Sequence, residues 1–452
     1  MPETASLINQ AKRPISKVFR RFSVKRRQVS DGQFEASWQD LSRYVIRWGS
    51  YGSSIDTPRF GDLNFDNAAV TVINIDGTFN PDNNTDSFWS GYGDLQRSLV
   101  RIEAGFTHQT QSAGGVWTNT EFPTNSTIFV GIISGDVFMS SRSEVVLPLR
   151  PLSQVFRDYP ATDLLGVTAT GITAGAWFTL MRDQTDGAAN FVFRPFIGDA
   201  TTTDWSIAST GHLYANLMNT TSAFDIQGKD CWQVSQKLAE AEQYVAYINN
   251  RGQFLWQAKT ATASVQYEFH GIGSADRVYG QTIKLVHSYG KRLTSFFSRV
   301  AVKFIDADTT TSFVNTALAF AVGGSNTAWN LGSRTFSIEN FWLTTAAAAS
   351  VASAVFSDVS SQNEEIEFTS SFVPHLNLLD RISVTYDSTD FVTGRSFWDQ
   401  NDWAADDTST SEDLIWDDAR GDSIVLNAVE FKLLSVSVDL DNLESKFIAK
   451  QL

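Results

Sequence analysis

Side chains able to act as bases, nucleophiles or metal ligands are few and scattered. His108, His212, His270, His287 and His375 are the five histidines, and none is spaced as in a helical zinc motif. Cys231 is alone, so it forms neither an intrachain disulfide nor a cysteine-based zinc site. No G-x-S-x-G elbow is present, and Gly290-Lys291 lacks the upstream glycine of a phosphate-cradling loop. Carboxylates are plentiful, but the paired acids of glycoside hydrolysis have no fixed sequence spacing. Asn74-Ile75-Asp76-Gly77 has the outline of a calcium loop. Val72, however, stands where the first ligand is required and Asn83 where a bidentate glutamate is required, so the stretch reads as a turn. The expectation is a protein that is not an enzyme, with no catalytic residue, cofactor or metal ligand to name.

Charge is the stronger signal. The chain has 452 residues with 35 basic and 50 acidic ones. Eight of the bases, Lys12, Arg13, Lys17, Arg20, Arg21, Lys25, Arg26 and Arg27, lie in the first 27 residues beside a single acid, Glu3. Removing these leaves 27 bases against 49 acids, so the body carries −22. The sequence therefore reads as a basic arm, residues 1–33, on an acidic body. No apolar stretch follows Arg20-Arg21, which sets aside an export signal. One reading is an amphipathic helix from Pro14, with Ile15, Val18, Phe19 and Phe22 on one face, lying on a membrane surface or docked on an acidic partner. The other is a solvated arm. Docking on the acidic body of another copy suits the charge split best. Specific nucleic-acid binding is disfavoured, because the acidic body repels phosphates. The longest apolar run, Ala317 to Val322, is far too short for a membrane span.

Thirteen tryptophans divide by context. Trp232, Trp256 and Trp329 sit in apolar patterns and read as core. Trp398, Trp403 and Trp416 stand among the nine carboxylates and one base of residues 399–422, and are the candidate exposed or interface aromatics. Exposed aromatics of this kind would also serve a carbohydrate-binding, receptor-recognising protein.

The elements that must position these groups are mostly strands. Alternation marks strands near residues 70–74, 100–104, 128–133 and 145–149, punctuated by Asp76-Gly77 and Asn80-Pro81-Asp82. Residues 177–182 read as a short helix, and residues 190–197 as strand. The clearest helix starts at Asp230 as N-cap, with Cys231, Val234, Leu238, Ala241 and Val245 on one face. A hairpin follows, turning at Asn249-Asn250-Arg251-Gly252. A second helix is expected over residues 346–356, and a hairpin turning at Asp439-Leu440-Asp441-Asn442 closes the chain. The fold class is α+β, mainly β, with several β-barrel or sandwich-like domains and a central helix-hairpin unit. The expected division is a β-domain over 34–157, a mixed α+β domain over 158–360 and a C-terminal β-domain over 361–452.

Several of these segments, in order, resemble tail-tip and baseplate hub proteins of tailed bacteriophages. They are Trp38-Gln39-Asp40-Leu41-Ser42 with Trp48-Gly49-Ser50, Asp76-Gly77-Thr78-Phe79-Asn80-Pro81 followed by Val100-Arg101-Ile102, and Phe129-Val130-Gly131-Ile132-Ile133. Leu238-Ala239-Glu240-Ala241-Glu242 with Tyr247 and Gly252 is similar to the family's helix-hairpin. Leu379-Asp380-Arg381-Ile382-Ser383-Val384 and Phe431-Lys432-Leu433-Leu434-Ser435-Val436 are similar to its last barrel. The resemblance implies a structural virion protein, made late and assembled in the host cytoplasm, with a hub-like architecture. It implies a homo-oligomeric ring around the DNA channel, three-fold by preference and six-fold as the alternative, with other tail and baseplate proteins as partners. A distal tail or adaptor ring is the neighbouring reading.

Overall fold

The computed structural model describes residues 18–387, apart from several short stretches of which 80–91, 215–227, 272–281 and 321–334 are the longest, and residues 424–452. It is an α+β protein, mainly β, built on two large sheets with a helical region packed beside them.

The first sheet begins with Val18–Lys25, the stretch whose apolar spacing suggests a helix. It is a strand instead, paired antiparallel along its whole length with Leu99–Gln111, from Val18 opposite Phe106 to Lys25 opposite Leu99. Phe22 and Val24 are fully buried. The helical spacing of Val18, Phe19 and Phe22 is overruled because a strand can bury Phe22 and Val24 on one face, where alternate residues share a side. Leu99–Gln111 continues to Thr127–Ile133, then to Glu144–Pro151, Ala68–Ile73 and Val45–Arg47. The alternation read at Val70 and Val72 is what this sheet requires, since both are fully buried while Thr71 between them is half-buried and Ala69 is exposed.

The second sheet is curled and draws on distant parts of the chain. Its path is Val265–His270, Arg381–Asp387, Val425–Asp439, Glu444–Gln451, Glu365–Ser371 and Ile283–Gly290. The C-terminal hairpin supplies its longest strand, Val425–Asp439, which pairs with Glu444–Gln451 up to Asp439 opposite Glu444. Ser50–Ile55 leaves the first sheet's neighbourhood and pairs with Val425–Asp439, from Ser54 opposite Ser435 to Ser50 opposite Asp439. Sheet membership thus crosses the boundaries expected at 157 and 360. Short continuous strands cannot reveal this, because long-range pairing leaves no local period.

One apolar core joins the two sheets. It contains Phe22, Ile102 and Leu147 from the first and Phe269, Ile382 and Phe447 from the second. Phe106 meets Phe372 edge-on at 5.7 Å, and Tyr51 of the crossing strand meets Phe129 at 5.3 Å. Burying each such side chain contributes roughly 1.5–3 kcal/mol.

A second core underlies the helical region. Helix Cys231–Glu242 is capped by Asp230, whose carboxylate accepts the Gln233 N–H at 2.7 Å. Val234 and Leu238 are fully buried, as are Trp177, Phe178 and Trp256; Trp232 is nearly so. The helix carrying Trp177 runs from Ala174 to Asp183. Residues 194–197, expected as strand, form a helical turn with Pro195 in its first turn, where a missing N–H costs nothing. The second helix is Thr345–Ser360, with Ala348, Val351, Ala352 and Val355 fully buried. Trp329 lies outside the described residues.

Candidate functional site

Lys12, Arg13 and Lys17 of the basic segment, and Trp398, Trp403 and Trp416 of the acidic one, lie outside the described residues. The other five bases sit on or beside the first strand, and each is engaged within the chain.

Arg20 donates from Nη1 to the Leu440 carbonyl at 2.7 Å, and its guanidinium lies 5.2 Å from the Trp48 ring. Arg21 approaches Asp40 at 3.5 Å and Glu103 at 3.8 Å. Glu103 is only 2% exposed and also faces Arg101 at 3.4 Å. Lys25 and Arg101 both stack on the Trp38 ring, at 5.3 and 4.5 Å. Burial and the neighbouring Arg101 push the Lys25 ammonium down from its ordinary range.

Arg26 and Glu35 form the most enclosed pair. Arg26 Nε donates to Glu35 Oε1 at 2.9 Å and Nη2 to Oε2 at 2.8 Å, while the Arg26 backbone N–H reaches Oε1 at 2.8 Å. Gln39 adds a fourth donor at 3.0 Å, and the Arg26 guanidinium lies 3.8 Å from the Tyr92 ring. Burial pushes the Glu35 carboxyl up, but these hydrogen bonds outweigh it and hold the group below its usual range. Arg27 donates from Nε to the Gly32 carbonyl at 2.8 Å.

The motif segments serve as joints between these elements. In Trp38-Gln39-Asp40-Leu41-Ser42, Trp38 receives the cations and Gln39 binds Glu35. Leu41 is buried, and its N–H meets the Phe22 carbonyl at 2.8 Å. In Trp48-Gly49-Ser50, the N–H groups of Trp48 and Gly49 are both taken by the Asp441 carboxylate. Asn74 to Phe79 is a turn: Asn74 Oδ1 accepts the Phe79 N–H at 2.7 Å, Gly77 has φ of 77°, and Phe79 is fully buried. Gly252 closes the helix-hairpin turn with φ of 80°, and an added Cβ would stand 3.0 Å from Val130 of the first sheet. Two partners were not legible from the motifs. Glu35 and Glu103 are ordinary acids in sequence, and only the strand register brings them against Arg26 and Arg21.

The arrangement gathers cations, aromatics and carboxylates into fixed contacts that hold strands in place. Among the described residues, no group of three or more His, Cys, Asp or Glu side chains is close enough to hold a metal ion. No described helix is long and apolar enough to cross a membrane.

No family model and no curated protein matches the chain. Among solved structures, it is similar to the tail protein from Neisseria meningitidis MC58, at 11% identity over 95% of this chain and 96% of that one, with a TM-score of 0.49. It is similar to the 43 kDa tail protein of prophage MuSo2 from Shewanella oneidensis, at 12% identity over 95% and 98% of the two chains, TM-score 0.44. It is also similar to prophage tail protein gp18 from Listeria monocytogenes EGD-e, at 6% identity over 95% and 94%, TM-score 0.44. The chain's likeness along almost its whole length is thus to tail proteins, at low identity.

Proposed function

We propose that this chain is a structural, non-enzymatic component of a phage-type tail, a subunit of a ring-shaped hub at the tail tip or baseplate. The observation that carries the reading is the use made of the motif residues. The tryptophan and glycine positions that resemble hub motifs, together with Asp441 of the closing hairpin, cross-tie the two sheets and the helix-hairpin into one unit, as a load-transmitting subunit requires. Ser50–Ile55, which pairs outside its own region, and Asp441, which returns from the far end of the chain, are the two main ties. In a ring, the acidic body would face DNA as a repelling surface, letting the duplex slide past. Other tail and baseplate proteins are its partners, and a virion tail its location. A closed ring of identical copies accords with the usual symmetry of homo-oligomers, and the preference for three-fold rests on the resemblance to hub proteins alone.

Native mass spectrometry and negative-stain imaging of the purified chain test this. A closed trimer or hexamer with a central opening is expected. A monomer across the whole accessible concentration range, with no ring in the images, would sink the hub assignment.

A further inference from the structure

The tail reading leaves one feature of the molecule unused. A cleft of about 330 Å³ opens between the turn after the first strand, the end of Thr127–Ile133 and the loop before Arg194–Ile197. Its size is at the lower end of small-molecule sites, about 300–1,000 Å³. Ile132, Val155 and Phe196 give it an apolar floor.

The polar lining is held by contacts within the protein. Arg27 is tied to the Gly32 carbonyl at 2.8 Å, and Gly32 has φ of 69°; a Cβ there would stand 3.2 Å from the guanidinium. Asp186 accepts the Asn190 N–H at 2.9 Å and its side-chain amide at 3.3 Å, while the Asp186 N–H returns to the Asn190 carbonyl at 2.8 Å. Tyr159 accepts Gln184 Nε2 at 3.1 Å, which leaves its own hydroxyl proton to donate. Phe191 is 39% exposed, unusual for a phenylalanine, and the Arg194 guanidinium braces its ring at 3.6 Å.

The charges select the ligand class. Asp158 and Asp186 oppose an anion, and Arg27 and Arg97 oppose a cation. With Arg97 standing 3.9 Å from Asp158 the lining is balanced in charge, so an apolar ligand would strip water from it without adding a polar contact. A neutral ring bearing hydroxyls, which both donate and accept, satisfies such a mixed lining, and its C–H face suits an exposed aromatic. We infer that this cleft binds a neutral saccharide unit of one or two rings, with Asp186 and Asn190 as hydroxyl partners and Phe191 as the stacking surface.

Saturation-transfer NMR on the full chain tests it, with glucose, galactose, rhamnose and N-acetylglucosamine as probes and diglycine as a zwitterionic contrast. Transfer to at least one sugar is expected, strongest on one ring face. Phe191→Ala and Asn190→Ala should each weaken it about tenfold, the loss of a contact worth roughly 1.4 kcal/mol. Circular dichroism should show both variants folded, since Phe191 is exposed, Asn190 is half-buried and neither belongs to an apolar core. Transfer to no sugar, transfer unchanged in both variants, or transfer to diglycine instead would each overturn the assignment.

Discussion

Asp441 accepts the backbone N–H of Gly49 at 3.0 Å across 392 residues of sequence. The same carboxylate takes the Trp48 N–H at 2.9 Å, so one side chain in the last hairpin fixes the point where the chain passes from one sheet to the other. Gly49 has φ of 73°, and a Cβ there would stand 2.5 Å from the Ala69 carbonyl oxygen.

Both halves of that joint are open to mutation. Asp441→Ala should cost roughly 1–3 kcal/mol, the value of hydrogen bonds to a charged acceptor. Gly49→Ala should cost a similar roughly 1–3 kcal/mol through backbone strain, with the neighbouring strand displaced as well. Urea unfolding of each variant measures this. Wild-type stability in both would show that the joint is dispensable.

The basic segment should not be severable. Deleting residues 1–27 removes Val18–Lys25, a strand paired along its full length and carrying the buried Phe22 and Val24. The expected product is insoluble or lacks cooperative unfolding. A soluble truncation with native circular dichroism would mean that the first sheet closes without it.

Glu35→Gln removes the charge that faces the buried Arg26, and roughly 2–3 kcal/mol should be lost at neutral pH. Glu35 titrates below its ordinary 4.5 in the folded chain, so its contribution is present above that value and fades as pH falls beneath it. The gap between variant and wild type should therefore narrow toward pH 3. A constant gap would assign the loss to packing alone.

Asp380 runs the other way. Burial pushes its carboxyl up from 3.8 to about 6, against the Asn377 N–H that it accepts at 2.7 Å. Its contribution is full below its ordinary value and is lost as pH rises through about 6. Asp380→Asn keeps an acceptor without the charge. Its denaturation midpoint should exceed the wild type at pH 8 and converge with it at pH 4. The reverse order would show that the ion's interaction with Arg251 dominates.

Leu238→Asp places an unpaired charge in the fully buried face of helix Cys231–Glu242. Loss of soluble expression is expected, and a folded variant would show that the face can open to water.

Local pattern carried much of this architecture. The helix from Asp230 with Cys231, Val234 and Leu238 buried, the hairpin turning at Gly252 and the closing strands through Asp439 were legible because caps, periods of 3.6 and 2, and turn glycines act within a few residues. Val245, expected on the helix face, belongs instead to the strand Tyr244–Ile248. The Asn74 to Phe79 turn was legible for the same reason. The residues of the cleft gave no such signal. Arg27, Tyr159 and Asp186 are far apart in the chain and follow no shared spacing.

The sequence by itself determined the β-rich class, the main helices and the charge contrast between a basic start and an acidic body. Tertiary structure alone decided that Val18–Lys25 is a strand, because its helical spacing and its strand alternation differ little over eight residues. It also decided that Ser50–Ile55 serves the second sheet, and that Glu35, Glu103 and Asp441 are the partners of distant groups. Hydrogen-bonded register and the burial of opposite charges are set by which strands meet, and that choice is made by the whole core.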